Sequence, residues 1–551
     1  MIRWLRSTDR TAWLIFAVAV LLYAPGLFWG LPHATSEVTI RGWDVDSIAG
    51  IGPLSELHNL LIAPQEGWYY AYPLFHYLVL GLAYAPYMAY LWLTGGLVSP
   101  TAVYPYGFAD PVTALAVLAF VGRLVSVLMA AGVVVGTYLA ARTTWDRRTG
   151  LLAAAVMLLC GPLVYYAHAG NLDVPVLFWV AMCVYAGARI VKLGLTVRRA
   201  IGFGTLAAIA VATKDQAYGA LVPAVVFLIV IHLRDSRKPS AAGASPWRPA
   251  IAMIVAGIVA FAIANGIVFR PDRFINHVKF LLNFEQTFVN VVNFEGVVRA
   301  KSAMGYLLVI QDVTVAVYQS LGPVILLAAL AGIVATWKRN RFVWLVTAML
   351  LGYLLLVIAP IRHMHYRWAM MPALFLVFPA ARLLILGLET TGARRLIALA
   401  ATIAGLGWLG AWALDMRYQV WNDARNPASE WLADNARPGD KVAFFGSVGQ
   451  LPRIPRDVLP VSIESDSASR RLIESGARLV LVIPDYSSQG GDGIERSRYL
   501  PESTYDGLVS GALGFTRVAQ FRTRPLPVLG RNLLGEIPWV NPPVQIFERT
   551  R

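Results

Sequence analysis

Charged side chains stand at the ends of apolar runs in this chain, where ionised groups are costly and call for a reason. Asp44 and Asp46 lie two apart in Glu37-Val-Thr-Ile-Arg-Gly-Trp-Asp-Val-Asp46, directly after the first apolar run. Asp173 stands in the tight turn His168-Ala-Gly-Asn-Leu-Asp-Val-Pro175. Lys214 and Asp215 share the turn Thr213-Lys-Asp-Gln216, and Arg362, His363, His365 and Arg367 share Ile361-Arg-His-Met-His-Tyr-Arg367. Arg123 lies inside a run, in Val121-Gly-Arg-Leu-Val125. A carboxylate facing an acceptor hydroxyl is a general base. Cations held between apolar helices suit a phosphate on a lipid tail.

Each of these residues also has a plain structural reading. Arg123 or Lys214 alone can snorkel or pair. Asp173 can cap the next helix, with Pro175 in its first turn. Two histidines two apart on a helix do not share a face, so for His363 and His365 interfacial packing competes with metal or substrate contact. The convergence of the whole set carries more weight than any member.

The elements that must position them follow from composition. Of 551 residues, 57% are hydrophobic and 14% charged, against about 25% charged in a soluble domain. Apolar runs of roughly 20 residues recur, which reads as a polytopic α-helical membrane protein. The net charge of +15 follows the positive-inside rule. The basic residues punctuate apolar spans and form no separate basic domain, which excludes a nucleic-acid partner. Cys160 and Cys183 both fall inside apolar runs and form neither a disulfide framework nor a cysteine-based zinc site. Arg3, Arg6 and Arg10 precede the run Thr11–Gly30. That run is long for a signal peptide and reads as a retained anchor.

Charge parity across the loops predicts about eleven crossings, over residues 12–30, 112–141, 150–167, 174–191, 200–212, 217–233, 249–269, 319–336, 341–360, 367–387 and 395–415. It leaves 73–98 beginning and ending outside. That stretch contains Pro73, Pro86, Gly95 and Gly96 and reads as broken re-entrant or interfacial helices. The same parity gathers Asp44, Asp46, Asp173, Lys214 and the 361–367 segment on the outer face. The transmembrane domain then covers 1–416, with a first outer loop at 31–111. Residues 417–551 form a small extracytoplasmic α/β domain, with a helix near Pro427–Asn435 and strands at Lys441–Gly446, Ala477–Pro484 and Val544–Phe547. No phosphate-binding glycine fingerprint marks this domain.

The chain resembles the GT-C superfamily of polyprenyl-phosphate-dependent glycosyltransferases, close to the protein O-mannosyltransferases and the aminoarabinose-to-lipid A transferases. Val45-Asp-Ser-Ile48 stands where that family has an Asp-Glu pair in the first outer loop; Asp46 matches the Asp, and Ser47 replaces the Glu. Ala71-Tyr-Pro-Leu-Phe-His-Tyr77 is similar to the Pro-Leu-Tyr-Tyr segment, and Gly122-Arg-Leu-Val-Ser126 to the Arg-x-x-Ser span start. Asn171-Leu-Asp-Val-Pro175, Ala212-Thr-Lys214 and His365-Tyr-Arg367 through Pro372 resemble the Thr-Asp-x-Pro, Leu-Thr-Lys and Arg-Tyr...Pro motifs.

The resemblance implies a GT-C transmembrane fold and transfer of a sugar from a polyprenyl-phosphate donor, with inversion, at the outer face of the cytoplasmic membrane. The acceptor would be a protein, lipid or glycan. Asp46 would be the base, with Asp44 as its partner. Asp173 would position a substrate. Lys214, Arg367, Arg123 and Arg362 would face the donor phosphate, and Tyr72, His365 and Tyr366 the substrate. The lipid-activated donor requires no cofactor. A divalent metal has room at the carboxylates, though no ligand spacing demands one. Two other classes compete: a lipid or sugar transporter or flippase, which would show repeat symmetry and midplane charges, and a noncatalytic subunit of a cell-envelope assembly.

Overall fold

A computed structural model of the chain describes residues 9–44, 47–48, 50–62, 70–101, 103–236, 245–283, 298–446, 448–464, 467–483, 500–524, 526 and 540–550. Among them, eight helices are long and apolar enough to cross a membrane. They are Pro111–Thr144, Asp173–Leu193, Ala217–Asp235, Trp247–Ala264, Ala303–Thr336, Arg341–Ile361, Tyr366–Leu388 and the long run Gly392–Asn435. The remaining expected crossings fall on shorter helices. These are Arg10–Tyr23 with 14 residues, Val197–Thr213 with 17, and the pair Arg147–Leu158 and Gly161–Tyr166 with 12 and 6.

Residues 73–98 depart from expectation. In place of broken helices, one helix of 19 residues runs Phe75–Leu93 with Pro86 inside it. Pro86 costs this helix one backbone hydrogen bond, and the helix continues through the loss. Gly95, at φ 74, follows it.

Local chemistry fixes the helix starts. The Asp146 carboxylate accepts the Thr149 N–H at 2.8 Å ahead of Arg147–Leu158. Ser302 does the same for Gly305 at 3.1 Å, and Asn340 for Phe342 at 2.8 Å. Small residues let helices approach closely, as membrane packing demands. A methyl on Gly204 would stand 2.2 Å from the Met253 carbonyl, and one on Gly332 2.2 Å from that of Pro379.

The chain divides into two compact units. The first comprises Met1–Pro25, Gly52–Ala83 and Leu124–Ala413; the second comprises Gly26–Ile51, Tyr84–Arg123 and Leu414–Arg551. The second holds a sheet of β1 (Lys441–Phe444), β2 (Leu459–Ser462), β3 (Leu479–Val482), β4 (Phe515–Phe521) and β5 (Val544–Arg549) in the order β2-β1-β3-β5-β4. Strands β2, β1 and β3 are parallel, whereas β5 and β4 join antiparallel.

Alternation along the strands buries both faces of this sheet. Val442, Phe444, Leu479 and Ile546 pack with Ala428 and Leu432 of the helix Arg425–Asn435. Ala443, Val480 and Phe547 pack with Leu472 and Leu508 of two further helices. Strands β2 and β4 are not among the expected strands. Both are edge strands, and β2 carries Pro460, which an edge tolerates and which weakens the sequence signal.

Candidate active site

The second unit contains the opening of the first loop, up to Ile51. Arg123, in the helix Pro111–Thr144, is fully buried, and its Nη2 donates to Asp44 Oδ1 at 2.6 Å. Its Nη1 donates to the Leu27 carbonyl at 3.1 Å and to that of Trp29, and Nη2 also reaches Gly30 O at 3.4 Å. A buried cation needs such an array of acceptors. Gly42 makes room for it: a methyl there would lie 2.6 Å from Asp44 Oδ1 and 3.0 Å from Arg123 Nη2. The guanidinium thus binds the loop through the Asp44 carboxylate and three backbone carbonyls. Asp46 lies outside the described residues.

Trp43, beside Asp44, is clamped from the C-terminal segment of the same unit. Its indole N–H donates to Leu451 O at 2.7 Å, and the Arg425 guanidinium lies 4.0 Å from its ring centre. Arg425 and Asp423 form a fully buried pair at 2.7 Å. Asp423 Oδ2 also accepts the Trp29 indole N–H at 3.0 Å and the Asn541 backbone N–H at 2.9 Å. None of Trp29, Asp423, Arg425 or Asn541 is singled out by sequence. The only available signal is an Asp and an Arg two apart just past the last apolar run.

The first unit gathers the other charges. Asp173 opens the helix Asp173–Leu193, and its backbone N–H is held by Asn171 Oδ1 at 3.1 Å. Lys214 terminates the helix Val197–Thr213, and Arg367 lies in the short turn Tyr366–Ala369. Lys214 Nζ stands 2.7 Å from Asp173 Oδ1, and Arg367 Nε 3.4 Å from Oδ2, all three side chains being about nine-tenths buried or more. Among the described residues two cations thus share one carboxylate in a low-dielectric setting, where charge acts strongly. Asp173 is therefore an ion-pair centre as well as a first-turn residue.

Neighbouring residues support this cluster. Asp215 pairs with His277 at 3.2 Å, and His277 Nδ1 is 2.7 Å from Tyr70 O. Arg362 adopts φ 55 and is buried; its Nε donates to Arg299 O at 2.7 Å, while Arg299 binds Asp312 through two bonds of 2.8 Å. Tyr72 is partly buried just ahead of the helix Phe75–Leu93. The histidine pair is not helical. The helix ends at Ile361, and the segment beyond it brings His363 Nε2 to 3.2 Å from His365 Nδ1. In an extended segment residues two apart point the same way, which corrects the expectation of separate faces. Burial, with Arg367, His363 and Lys214 nearby, holds the His365 imidazole well below its usual pKa, so it is neutral at pH 7. Among the described residues no group of three or more His, Cys, Asp or Glu side chains could hold a metal ion.

Residues 108–259 match the family model described as dolichyl-phosphate-mannose-protein mannosyltransferase. The resemblance to GT-C superfamily membrane glycosyltransferases stands on that match. The matched segment carries Arg123, Asp173 and Lys214. Sequence comparison with curated proteins finds no match.

Among solved structures, the chain is similar to the archaeal oligosaccharyltransferase AglB from Archaeoglobus fulgidus, in complex with an inhibitory peptide and a dolichol-phosphate. That likeness has 11% identity over 85% of this chain and 69% of that one, at TM-score 0.45. It is also similar to ArnT from Cupriavidus metallidurans, with 14% identity over 98% of both chains and TM-score 0.44. The arabinofuranosyltransferase AftD from Mycobacteria shows 16% identity over 99% of this chain and 40% of that one, at TM-score 0.43. At these scores the likenesses carry no residue assignments.

Proposed function

We propose that the protein transfers a sugar from a polyprenyl-phosphate donor to an acceptor at the outer face of the cytoplasmic membrane. The observation that carries this reading is the buried cluster Lys214–Asp173–Arg367, two of whose members lie in the segment matching the mannosyltransferase family. In the proposed step Asp46 takes the proton of the acceptor hydroxyl. The acceptor oxygen then bonds to the anomeric carbon as the bond from that carbon to the lipid phosphate oxygen breaks. Lys214 and Arg367 neutralise the departing phosphate, the electrostatic role that charge developing on a leaving group requires. Asp173 holds both cations in place between donors. This reading requires no metal.

Release of free polyprenyl phosphate from a labelled donor by the purified protein tests the activity. Lys214→Ala and Arg367→Ala should each weaken donor binding by about 1.5–3 kcal/mol, the worth of a charge-assisted hydrogen bond. That is a roughly 10- to 100-fold rise in Kd. Unchanged donor affinity in both folded variants would make the cations purely structural.

The orientation has its own test. Ser99 and Ser236 are both exposed, and the two native cysteines are buried. In intact cells Ser99→Cys should react with a membrane-impermeant maleimide and Ser236→Cys should not. The reverse pattern would place the cluster on the cytoplasmic side.

A further inference from the structure

A cavity of about 270 Å³ opens in the second unit, lined by Ala34, Thr35, Tyr104, Asp110 and Arg456 among others. Its walls come from separate stretches of chain, and each is fixed by its own bonds. Thr39 Oγ1 accepts the Thr35 N–H at 3.0 Å and lies 3.2 Å from Thr35 Oγ1. The hairpin that carries Tyr104 is closed by the Val98 N–H on Gly107 O at 2.8 Å and the Ala109 N–H on Gly96 O at 2.9 Å. The Tyr104 hydroxyl donates to Ala34 O at 2.7 Å, which ties the hairpin to the start of the loop. Asp110 caps the helix Pro111–Thr144, accepting the Thr113 N–H at 3.2 Å and the Thr113 hydroxyl at 2.8 Å. The cavity is thus held open by the chain itself, as the pre-formed sites of small ligands are.

The lining sets opposite chemistries side by side. Arg456 Nη2 stands 3.5 Å from Asp110 Oδ1, a long contact between side chains that are 63% and 51% exposed. A pair so exposed contributes little to stability, and both partners stay within reach of a ligand. An anion in the cavity would meet the Asp110 carboxylate, and a cation the Arg456 guanidinium. A neutral ring bearing hydroxyls suits both. Its hydroxyls donate to the carboxylate, accept from the guanidinium and exchange bonds with the Thr35 hydroxyl. The Tyr104 ring meets the Tyr106 ring edge to face, with centroids 6.0 Å apart. It adds an aromatic surface for the C–H face of such a ring. Sites for drug-sized ligands occupy roughly 300–1,000 Å³, so a slightly smaller cavity suits one or two rings.

We infer that this cavity holds a neutral saccharide unit of the acceptor, which makes the acceptor a glycan. None of its lining residues is among those assigned to the donor, and Thr35 lies in the same loop as Asp44 and Asp46. The acceptor role rests on the donor reading above; saccharide binding in the cavity does not.

The test uses the full chain in lipid nanodiscs. Short neutral oligosaccharides of mannose, glucose, galactose and arabinose are titrated against wild type, Arg456→Gln and Tyr104→Leu. A galacturonate oligosaccharide, an unglycosylated peptide rich in serine and threonine, and undecaprenyl phosphate are titrated in parallel. Thermal midpoints confirm that each variant is folded. Wild type should bind at least one neutral oligosaccharide, and more tightly than the galacturonate or the peptide. Either substitution should weaken that binding roughly tenfold, the worth of one hydrogen bond to a charged group or of one ring contact. Affinity for undecaprenyl phosphate should not change. Absence of neutral oligosaccharide binding, tighter binding of the galacturonate or the peptide, or unchanged affinity in both variants overturns the inference. The donor reading survives those outcomes wherever undecaprenyl phosphate still binds. Failure of wild type to bind undecaprenyl phosphate overturns the donor reading and with it the acceptor role.

Discussion

Asp46→Asn is expected to abolish turnover while leaving donor binding close to wild type. The carboxamide keeps the shape of the side chain but cannot take a proton, and a general base typically supplies about 10²- to 10⁴-fold. The neighbouring carboxylate cannot substitute, because Asp44 is 5% exposed and bound to the Arg123 guanidinium at 2.6 Å. Asp44→Asn is accordingly expected to lower the yield of folded protein and to spare turnover per folded molecule. The measurement is release of polyprenyl phosphate, normalised to folded protein, alongside donor affinity. Normal turnover in Asp46→Asn with a dead but folded Asp44→Asn would move the base by two residues. Normal turnover in both would remove this loop from the chemistry.

The largest loss of stability is expected from Arg123→Met. It strands a buried carboxylate and leaves the carbonyls of Leu27, Trp29 and Gly30 without their donor. Removing one partner of a buried ion pair costs about 3–5 kcal/mol. Adding Asp44→Leu should recover part of that loss, because an apolar replacement of both partners is often close to neutral. Thermal midpoints in one detergent at one scan rate provide the comparison. Strictly additive losses in the double variant would show that the two side chains act independently.

Much of the fold is legible because the bilayer imposes length. Helices such as Asp173–Leu193 and Ala217–Asp235 announce themselves as apolar runs ending in polar turns. Asp173, Lys214 and Arg367 are legible for the same reason, since charge at such an end is costly. Their pairing is not, because the helix ends that bring Lys214 to Asp173 are 41 residues apart and no periodicity encodes which cation meets which carboxylate. Arg123 looks from sequence like a ligand for phosphate; its acceptors in the structure are the Asp44 carboxylate and the carbonyls of Leu27, Trp29 and Gly30, and backbone carbonyls carry no residue type. The helix through Pro86 and the edge strands β2 and β4 escape because local propensity there disagrees with what tertiary packing supports.

The Trp43 indole and the Leu451 carbonyl that receives it are 408 residues apart. At a synthesis rate of about 5–20 residues per second, the ribosome needs roughly 20–80 s to deliver the second after the first. For most of that interval the loop carrying Asp44 exists without Arg425, and until its end without Leu451. A nascent chain interrupted before residue 423 would carry Asp173, Lys214 and Arg367 yet lack every group that clamps Trp43. The final quarter of translation, rather than the first, therefore decides when this loop acquires its native shape.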